Sequence, residues 1–463
     1  MYLPQPLPLF QYQAYGADIA VSRDRFGVHD EMGIGKTATV VGAINRVSQG
    51  NRVRGMVVAP AMLRENWMKE FYKFSHYPYR LCKGRNVHDF VSWSRGHFDI
   101  LITSYELAAK WRKEHAKNCE FLDFIAFDEA HYLKNGDANR TKEMLGHDAS
   151  GNNCLVEWAA HAWHVTGTLM ANDPMDSYTF LRFARAIDMT PNQFMRTFFN
   201  SSSTTYGTRN TVKEDMLPVL QQLIQNNSIR RTHNDVGMYL PPIWMKEVLV
   251  DGDTREIADM LKDYPGLEQA IFDAIEQGGL SYLTADYVAT LRRLLGKAKA
   301  VPYAEMLKHE LDAGAGKRVV FCVHTEPLQY IKHYMERYGY NFVVADGSTK
   351  ESERQSAVNQ FMNDPDVHGF LGNIKVAGVG LTLTSSSEID LFESDWSPAG
   401  NAQAIKRVHR YGQRSDVHAR FITLARSLDE GVNRIVANKT AAIARVEGTA
   451  MTASPVNAGF ISA

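Results

Sequence analysis

The most chemically specific segment of the chain is Asp30-Glu31-Met32-Gly33-Ile34-Gly35-Lys36-Thr37. It follows a short strand-like run and precedes an apolar helical stretch, which is the setting of a phosphate-binding P-loop. A strict P-loop would have glycine where this chain has Asp30, so the segment is a variant. Its core still combines flexible backbone, a helix N-terminus, an amine and a hydroxyl, the groups that bind a triphosphate. The alternative is a glycine turn that only starts a helix.

The segment therefore predicts an ATP site that includes Mg²⁺. Gly33 and Gly35 would let backbone N–H groups close around the phosphates. Lys36 would contact the β- and γ-phosphates, and the Thr37 hydroxyl would bind the metal.

A second segment supplies the groups that phosphoryl transfer needs. Phe124–Phe127 is an apolar strand that ends in the adjacent carboxylates Asp128 and Glu129, followed by Ala130 and His131. Asp128 is placed to hold Mg²⁺, and Glu129 to orient and deprotonate the attacking water. An Asp-Glu pair alone also occurs at solvated strand ends. A Gly-Lys-Thr loop followed at this distance by such a strand favours catalysis.

The composition is that of an ordinary globular protein. The chain has 463 residues, 51 Lys and Arg against 52 Asp and Glu, and a formal net charge of −1. This length suggests two or three domains, each able to bury a core. Because nucleic-acid binders are often basic, a neutral chain needs a local basic stripe to bind phosphates. A candidate stripe, which would look the same as a solvated face, comprises Lys406, Arg407, Arg410, Arg414, Arg420, Arg426 and Arg434.

Cysteine usage and hydropathy indicate the compartment. The four cysteines, Cys82, Cys119, Cys154 and Cys322, are widely scattered and lack metal-ligand spacing, which predicts reduced thiols. The N-terminus has no basic region of a secretory signal, and no apolar run approaches the roughly 20 residues of a membrane span. The sequence predicts a soluble cytoplasmic protein with no membrane partner.

The chain alternates short apolar runs with helical stretches, the pattern of parallel sheets with crossover helices. The predicted strands are Gly55–Ala59, Ile100–Thr103, Phe124–Phe127, His164–Thr166, Arg318–Val323, Asn341–Ala345, Gly369–Ile374, Glu388–Phe392 and Ala419–Leu424. They predict an α/β protein with one lobe over residues 1–190 and another over 301–448. Residues 191–300 read as a helical bridge with an irregular insertion at Ser201–Thr211, and 449–463 as a tail.

These motifs, in this order, resemble helicase superfamily 2 and, within it, the Snf2-like DNA-dependent ATPases. The resemblance runs from about Leu9 to Arg426 and implies two RecA-like lobes. In the first lobe, the matching segments are Leu9–Gln13 (Q motif), Val57–Pro60 with Asn66-Trp67 (motif Ia), Thr103–Tyr105 (motif Ib), Thr166–Thr168 (motif III) and Ile229–Val236 (inter-lobe signature). The resemblance implies that Gln13 contacts the adenine.

The most specific match lies in the second lobe. Gln403-Ala404-Ile405-Lys406-Arg407-Val408-His409-Arg410-Tyr411-Gly412-Gln413 is similar to motif VI of Snf2-like proteins. Read as a helix, it places Arg407 and Arg410 three residues apart on one face. That face would reach the γ-phosphate across the cleft between the lobes, the role of an arginine finger. The alternative is two arginines on a solvated helix.

The resemblance also implies DNA contacts and coupling residues. The implied DNA-binding residues are Pro60, Thr103, Ser104, His324, Gly380 and Thr382. The implied residues that couple ATP to DNA are His131, Thr166, Gly167, Thr168 and Gln403. Small or hydroxyl-bearing loop residues suit contacts with the phosphate backbone that do not depend on sequence.

The sequence thus predicts an ATP-dependent helicase or translocase acting on duplex or branched DNA in replication, recombination or repair. It would work as a monomer in the cytoplasm of a prokaryote or a phage-infected host, near the nucleoid. An RNA helicase is the alternative enzyme, and a nucleotide-switched architectural DNA-binding protein is the alternative from another class. A chromatin remodeller would need more chain than this length provides. The sequence leaves open whether strands are separated. The candidate wedges are the insertion and the basic residues Arg292, Arg293, Lys297 and Lys299.

Overall fold

A computed structural model describes residues 6–115, 121–146, 154–170, 174–204, 207–276, 286–374 and 381–436. Contacts divide the chain into two compact units. The first unit comprises the residues up to Phe199 together with Val212–Met238, and the second comprises Asn200–Thr211 and the residues from Tyr239 onward.

The first unit contains a seven-stranded parallel sheet flanked by helices. Its strands are β1 Arg25–Val28, β2 Gly55–Val58, β3 Leu81–Lys83, β4 Ile100–Thr103, β5 Leu122–Asp128, β6 Ala159–Val165 and β9 Ser228–Ile229, in the spatial order β3-β4-β2-β5-β6-β1-β9. Its helices are α1 Gln11–Val21, α2 Lys36–Ser48, α3 Arg64–Phe74, α4 Val87–Ser94, α5 Tyr105–His115, α6 Asn139–Leu145, α7 Ser177–Phe183, α8 Pro191–Phe198 and α9 Leu217–Asn227. The central strands are largely buried and mostly apolar because helices cover both faces of a parallel sheet.

The second unit contains a six-stranded parallel sheet. Its strands are β10 Ile243–Val250, β11 Arg318–Cys322, β12 Phe342–Ala345, β13 Gly369–Asn373, β14 Glu388–Leu391 and β15 Val417–Leu424, in the order β10-β15-β14-β11-β13-β12. Its helices are α10 Arg255–Asp263, α11 Leu267–Glu276, α12 Asp286–Asp312, α13 Thr325–Arg337, α14 Glu351–Asn363 and α15 Pro398–Ile405; residues 428–436 are also helical. Alternate residues of β11 enter opposite cores: Val319 and Phe321 lie on one side, Val320 and Cys322 on the other.

The two parallel sheets confirm the predicted fold class. All nine predicted strands are present. Most have the predicted bounds to within two residues, and β6 begins five residues before its predicted start. Cys82, Cys154 and Cys322 are buried, and Cys119 lies outside the described residues. In the described part of the chain, no helix has both the length and the apolar character of a membrane span.

The region predicted as a bridge is organised differently. The predicted irregular insertion is a β-hairpin of β7 Phe199–Thr204 and β8 Gly207–Val212. After α9, the chain returns to the first sheet through β9, whereas β10 belongs to the second sheet. The helices α10, α11 and α12 pack through an apolar cluster onto Trp396 and Leu428 of the second unit. The described residues of the predicted bridge are thus shared between the two units. The predicted tail lies outside the described residues.

The basic residues of α12 also have a structural use. The Arg292 guanidinium lies 4.2 Å from the centre of the Trp396 ring, and Lys299 forms a buried ion pair with Asp429 at 2.7 Å. Arg293 and Lys297 pair with glutamates on neighbouring helices. The contacts of Arg292 and Lys299 favour a structural role for these two residues. The pairs of Arg293 and Lys297 are exposed, so a DNA contact of these two residues stays a prediction.

Two buried histidines join β1 to β6 beneath the loops that follow those strands. The His29 Nε2 and His164 Nδ1 atoms are 3.0 Å apart, and both rings pack against Phe180. Burial, with the nearby His131, lowers the pKa of His164 to about 3. Burial, with the neighbouring His164, also holds the pKa of His29 well below its usual range. The folded protein therefore keeps this pair neutral.

This pair should make the first unit sensitive to acid. The folded-state pKa lies below the unfolded value of about 6.5, so the contribution to stability is present above that pH and is lost as the pH falls toward 3. We expect His164→Gln to reduce the loss of stability between pH 7 and pH 5, measured by urea unfolding. The half-buried His161 on the same strand provides the control His161→Gln. An equal acid-induced loss in wild type and His164→Gln would contradict this assignment.

Candidate active site

The carboxyl ends of three neighbouring strands bring the predicted catalytic segments together. β6 pairs with β1 on one side and with β5 on the other, in a register that aligns Val28, Val165 and Asp128. The phosphate loop follows β1, the Asp128-Glu129 pair ends β5, and Thr166 follows β6. In an open parallel sheet, this edge is where ligands bind.

The phosphate loop has the backbone geometry of an anion-binding loop. Gly33 and Gly35 have φ angles of 92° and 89°, in the left-handed region that favours glycine. A β-carbon at Gly35 would collide with the side-chain amide of Gln13. Gln13 in turn accepts a hydrogen bond from the Phe10 backbone N–H at 3.0 Å and donates to the Ile34 carbonyl at 3.3 Å. The predicted nucleotide-binding residues of α1 and of the loop are therefore in contact.

Lys36 begins α2 and lies against the loop. Its Nζ atom donates to the carbonyl oxygens of Asp30 at 3.0 Å and Glu31 at 3.4 Å. Burial lowers the pKa of Lys36, and the nearby charges of Glu129 and Asp128 oppose this shift. A β-carbon at Gly167 would lie 3.0 Å from Nζ, so glycine at this position leaves room for the lysine. Thr37 is half-buried on the first turn of α2.

Asp128 is a buried carboxylate held by three neighbouring groups. Its Oδ2 atom accepts a hydrogen bond from the Trp67 indole N–H at 2.7 Å, and its Oδ1 atom accepts one from the Glu129 backbone N–H at 2.9 Å. The Tyr105 hydroxyl donates to its backbone carbonyl at 2.7 Å. Burial, together with the charge of Glu129, raises the pKa of Asp128 to about 6. A site that disfavours its own negative charge in this way is suited to a cation.

Glu129 has a backbone conformation that is uncommon for a side chain of this kind. Its φ angle is 49°, which turns the chain sharply after β5. Its Oε2 atom lies 3.3 Å from His131 Nδ1, which is also 3.3 Å from the Thr166 hydroxyl. Thr166 Oγ1 lies 3.1 Å from both the carbonyl and the N–H of Thr168. A continuous series of polar contacts therefore connects the Glu129 carboxylate to the loop after β6.

These polar contacts include three of the predicted coupling residues, His131, Thr166 and Thr168, and Gly167 lies between the two threonines. Gln403, the fifth, is half-buried on α15 in the second unit. Its role stays a prediction.

The predicted DNA contacts of the first unit have different surroundings. Pro60 is half-buried in the loop after β2. Thr103 is fully buried, and Ser104 is 4% exposed and accepts a hydrogen bond from the Leu107 backbone N–H at the start of α5. The interior of the first unit encloses both hydroxyls, and the DNA contact of these two residues stays a prediction. Polar residue type alone does not reveal burial at a strand end.

In the second unit, the His324 ring is held by a buried carboxylate. Glu393 Oε1 lies 2.9 Å from His324 Nδ1, and Oε2 accepts the backbone N–H groups of Val323 and His324. Thr382 is half-buried, and Gly380 lies outside the described residues. These DNA contacts stay predictions.

Motif VI is not a continuous helix. The helix α15 ends at Ile405, so Arg407 and Arg410 lie in the turns that follow, and the predicted shared helix face is wrong. The Arg407 carbonyl accepts a hydrogen bond from the Leu383 N–H at 2.9 Å, and the His409 ring contacts the Pro241 carbonyl at 2.7 Å. These contacts with two other segments fix the backbone in a non-helical path. Arg410 donates to the Leu381 carbonyl at 3.3 Å.

One residue of the candidate basic stripe, Arg420, is buried. Arg420 is 5% exposed and forms a bidentate ion pair with the buried Asp390, at 2.6 and 2.7 Å. Burial alone would raise the pKa of Asp390, but Arg318 and Arg420 outweigh it and lower the pKa. Arg420 is therefore part of the interior of the second unit rather than of a phosphate track.

Sequence reasoning missed several residues that shape the phosphate loop. Asp30 is fully buried and pairs with Arg231, and Glu31 pairs with His233. The sequence contains part of this information, because a charged residue in place of the first P-loop glycine requires a partner when it is buried. Its partner lies 201 positions away and could not be identified from the sequence.

Comparison with known families identifies the chain. A family model described as SNF2-related domain matches residues 22–256, which is more than half of the chain and includes the phosphate loop and the Asp128-Glu129 pair. The chain belongs to the SNF2-related family. A second model, described as helicase conserved C-terminal domain, matches residues 302–412 of this SNF2-related protein. The resemblance to Snf2-like proteins predicted from the motifs is confirmed.

Individual relatives are distant and longer. ATP-dependent helicase FUN30 of Saccharomyces cerevisiae is 23% identical over 512 residues, covering 89% of this chain and 44% of the relative. DNA annealing helicase and endonuclease ZRANB3 of Homo sapiens is 26% identical over 442 residues, covering 92% and 39%. The chain thus spans less than half the length of these relatives. The solved structure of the Sulfolobus solfataricus SWI2/SNF2 ATPase core in complex with dsDNA is 19% identical, covering 95% of this chain and 94% of its own, with a TM-score of 0.44.

The raised pKa of Asp128 predicts a stability cost at the site. Its folded-state pKa of about 6 exceeds the ordinary value of 3.8, so stability is lost as the pH rises through this interval. Without nucleotide or metal, Asp128→Asn should raise the free energy of unfolding at pH 7.5 by up to about 3 kcal/mol, with a smaller gain at pH 5. The measurement is urea unfolding at both pH values.

Asp99 provides the matched control. Burial alone would raise the pKa of Asp99, but hydrogen bonds from Arg80 and Arg52 outweigh it and lower the pKa. Asp99→Asn should therefore destabilise the protein at pH 7.5. A destabilised Asp128→Asn variant at that pH would show that the Trp67 and backbone hydrogen bonds outweigh the cost of burying this carboxylate beside Glu129.

Proposed function

We propose that this SNF2-related protein hydrolyses ATP and uses the energy to move on duplex or branched DNA. The observation that carries the proposal is the convergence of Lys36, Asp128 and Glu129 at the carboxyl edge of one parallel sheet. Its relatives, which include an ATP-dependent helicase and a DNA annealing helicase and endonuclease, support the same activity. Replication, recombination and repair are the processes that such a motor would serve.

In this proposal, the first unit binds the nucleotide. The left-handed glycines and the N-terminus of α2 present backbone N–H groups to the phosphates, and Lys36 exchanges its loop carbonyls for phosphate oxygens. Gln13, which already contacts the loop, contacts the adenine.

The residues at this edge suit a magnesium ion. A hydroxyl at Thr37 and a carboxylate at Asp128 are oxygen ligands of the kind that Mg²⁺ prefers. Burial and the charge of Glu129 raise the pKa of Asp128, so a cation beside this carboxylate would be favourable. When bound, Mg²⁺ would neutralise charge on the phosphate oxygens. Thr37 and Asp128 would hold it.

Glu129 is the group that would act on water. Its carboxylate orients the attacking water and accepts its proton, while His131 fixes the carboxylate through the 3.3 Å contact. Because His131 also contacts Thr166, a change in the loop after β6 would alter the position of Glu129. In this proposal, a bound partner would change the hydrolysis rate through these contacts. Arg407 and Arg410 would stabilise the γ-phosphate in the transition state, as predicted from motif VI.

Variants of the first unit test the hydrolytic role. Lys36→Ala should abolish DNA-stimulated ATPase activity, because the phosphates lose their cation. Glu129→Gln should lower kcat by about 100-fold or more and leave nucleotide binding in place, because only the base is lost. The assay is steady-state phosphate release with duplex DNA, single-stranded DNA, RNA and no nucleic acid.

Lys73→Ala is the control, since Lys73 is an exposed lysine that pairs with Glu70. Undiminished turnover in Lys36→Ala would refute the ATPase proposal. Stimulation by RNA alone would favour the RNA helicase instead, and tight nucleotide binding without turnover in the wild type would favour the architectural switch.

The DNA partner is proposed to bind through its backbone. Pro60, His324 and Thr382 are positions at loops, and the Glu393 carboxylate fixes the His324 ring. The protein would act as a monomer in the cytoplasm of a prokaryote or of a phage-infected host cell, near the nucleoid.

Backbone binding predicts a strong salt dependence. Raising the salt concentration from 50 to 200 mM should weaken duplex binding by about 10-fold or more, because each neutralised phosphate releases counterions. Fluorescence anisotropy with two duplexes of equal length and unrelated sequence measures both the salt slope and sequence preference. A flat salt dependence, or a large difference between the two duplexes, would argue against backbone recognition.

A further inference from the structure

The phosphate loop is attached to a distant segment by contacts that hydrolysis itself does not require. Asp30, the first residue of the loop, is fully buried. Its Oδ1 atom accepts hydrogen bonds from Arg231 Nε at 2.9 Å and from the Arg231 backbone N–H at 3.0 Å, and its Oδ2 atom contacts the second arm of the guanidinium. Two-armed pairing of this kind fixes direction as well as distance.

The guanidinium of Arg231 occupies a fitted place beneath α1. It donates to the Tyr12 carbonyl and lies 5.1 Å from the centre of the Tyr12 ring. A β-carbon at Gly16 would come within 2.8 Å of one of its nitrogens. Gly16 therefore provides the space that this side chain fills, and the arginine connects α1 with the loop.

A second contact continues along the loop. Glu31 donates its backbone N–H to the Arg231 carbonyl at 2.8 Å. Its side-chain Oε2 atom accepts the His233 backbone N–H at 3.1 Å and lies 2.7 Å from His233 Nδ1. His233 is 5% exposed. Two consecutive loop residues are thus held by Arg231 and His233, which we call the loop clamp.

The loop clamp lies close to the point where the chain leaves the first unit. Contacts place Met238 at the end of the first unit and assign the chain from Tyr239 onward to the second unit. Arg231 and His233 lie seven and five residues before Met238. The segment that leaves the first unit is therefore anchored on the residues that begin the phosphate loop.

We propose that Arg231 and His233 are positioning residues that couple the phosphate loop to the segment leading out of the first unit. Nucleotide on the loop stabilises the clamp, and a displaced segment weakens nucleotide binding. Coupling between two equilibria is reciprocal, so one effect requires the other. The proposal rests on the proposed function in one respect, that this loop binds the phosphates of ATP.

Hydrogen exchange measures the first half of this coupling. The backbone N–H groups of Arg231 and His233 are bonded to Asp30 and Glu31, so they exchange only when the clamp opens. In the full-length wild type, a saturating non-hydrolysable ATP analogue with Mg²⁺ should slow their exchange at least 10-fold. Unchanged exchange at saturation overturns the proposal.

Substitutions measure the second half. Arg231→Gln should raise the Kd of the analogue, measured by fluorescence titration, at least 10-fold, and Arg231→Lys should have a smaller effect because it keeps charge but not the two-armed geometry. The control is Arg46→Gln. Arg46 likewise pairs with an aspartate, Asp18, and donates to an α1 carbonyl, that of Ala14, but it does not contact the loop.

A milder variant guards against misfolding. Glu31→Gln removes the charge opposite His233 from a half-buried residue and should leave the unfolding midpoint near that of wild type. It should nevertheless reduce the nucleotide-dependent protection of the His233 N–H. A purely structural role would leave this protection unchanged, and that result would overturn the proposal.

The two proposals fail in different ways. Wild-type protein that does not bind the analogue overturns the proposed function and the coupling with it. Wild-type protein that binds the analogue without added protection in residues 229–236 overturns the coupling alone.

Discussion

Parallel pairing of β1, β6 and β5 is the constraint on which the rest of the first unit depends. Strands that run in the same direction end at the same edge, so the loops that follow them must share one space. Helices on both faces of the sheet provide the burial that keeps these strands apolar and rigid. The sheet therefore brings together the phosphate loop, the Asp128-Glu129 pair and Thr166, which are far apart in the sequence.

The same edge concentrates charge in a poorly solvated place. Lys36 loses some of its preference for the proton through burial, and Asp128 holds its proton more tightly than an exposed aspartate does. Neither shift favours folding, and both favour a charged ligand that completes the site. The second unit treats charge differently. Its buried Arg318 and Arg420 pair with Asp390 and with Glu310, and Arg318 also pairs with Glu388, which makes these residues part of the scaffold.

The sequence was informative where chemistry and periodicity coincide. Apolar runs such as Ile100–Thr103 identify parallel strands because both faces are covered, and the Lys36 and Asp128-Glu129 motifs stand at the strand ends where they were expected. Spacing was misleading at Arg407 and Arg410, since residues three apart share a face only if the helix continues, and here it ends at Ile405. The sequence does not reveal that the Thr103 side chain is buried. The pairing of Asp30 with Arg231 depends on β9 lying beside β1, which no local pattern predicts.

Asp30 has a consequence for anyone who would redesign this protein toward its consensus. Asp30→Gly would restore the first glycine of a strict P-loop. It would remove the carboxylate that neutralises Arg231 and leave a guanidinium enclosed by α1, the loop and β9. The departure from the common motif is therefore one half of a pair, and an engineer or an evolving lineage has to change both halves together.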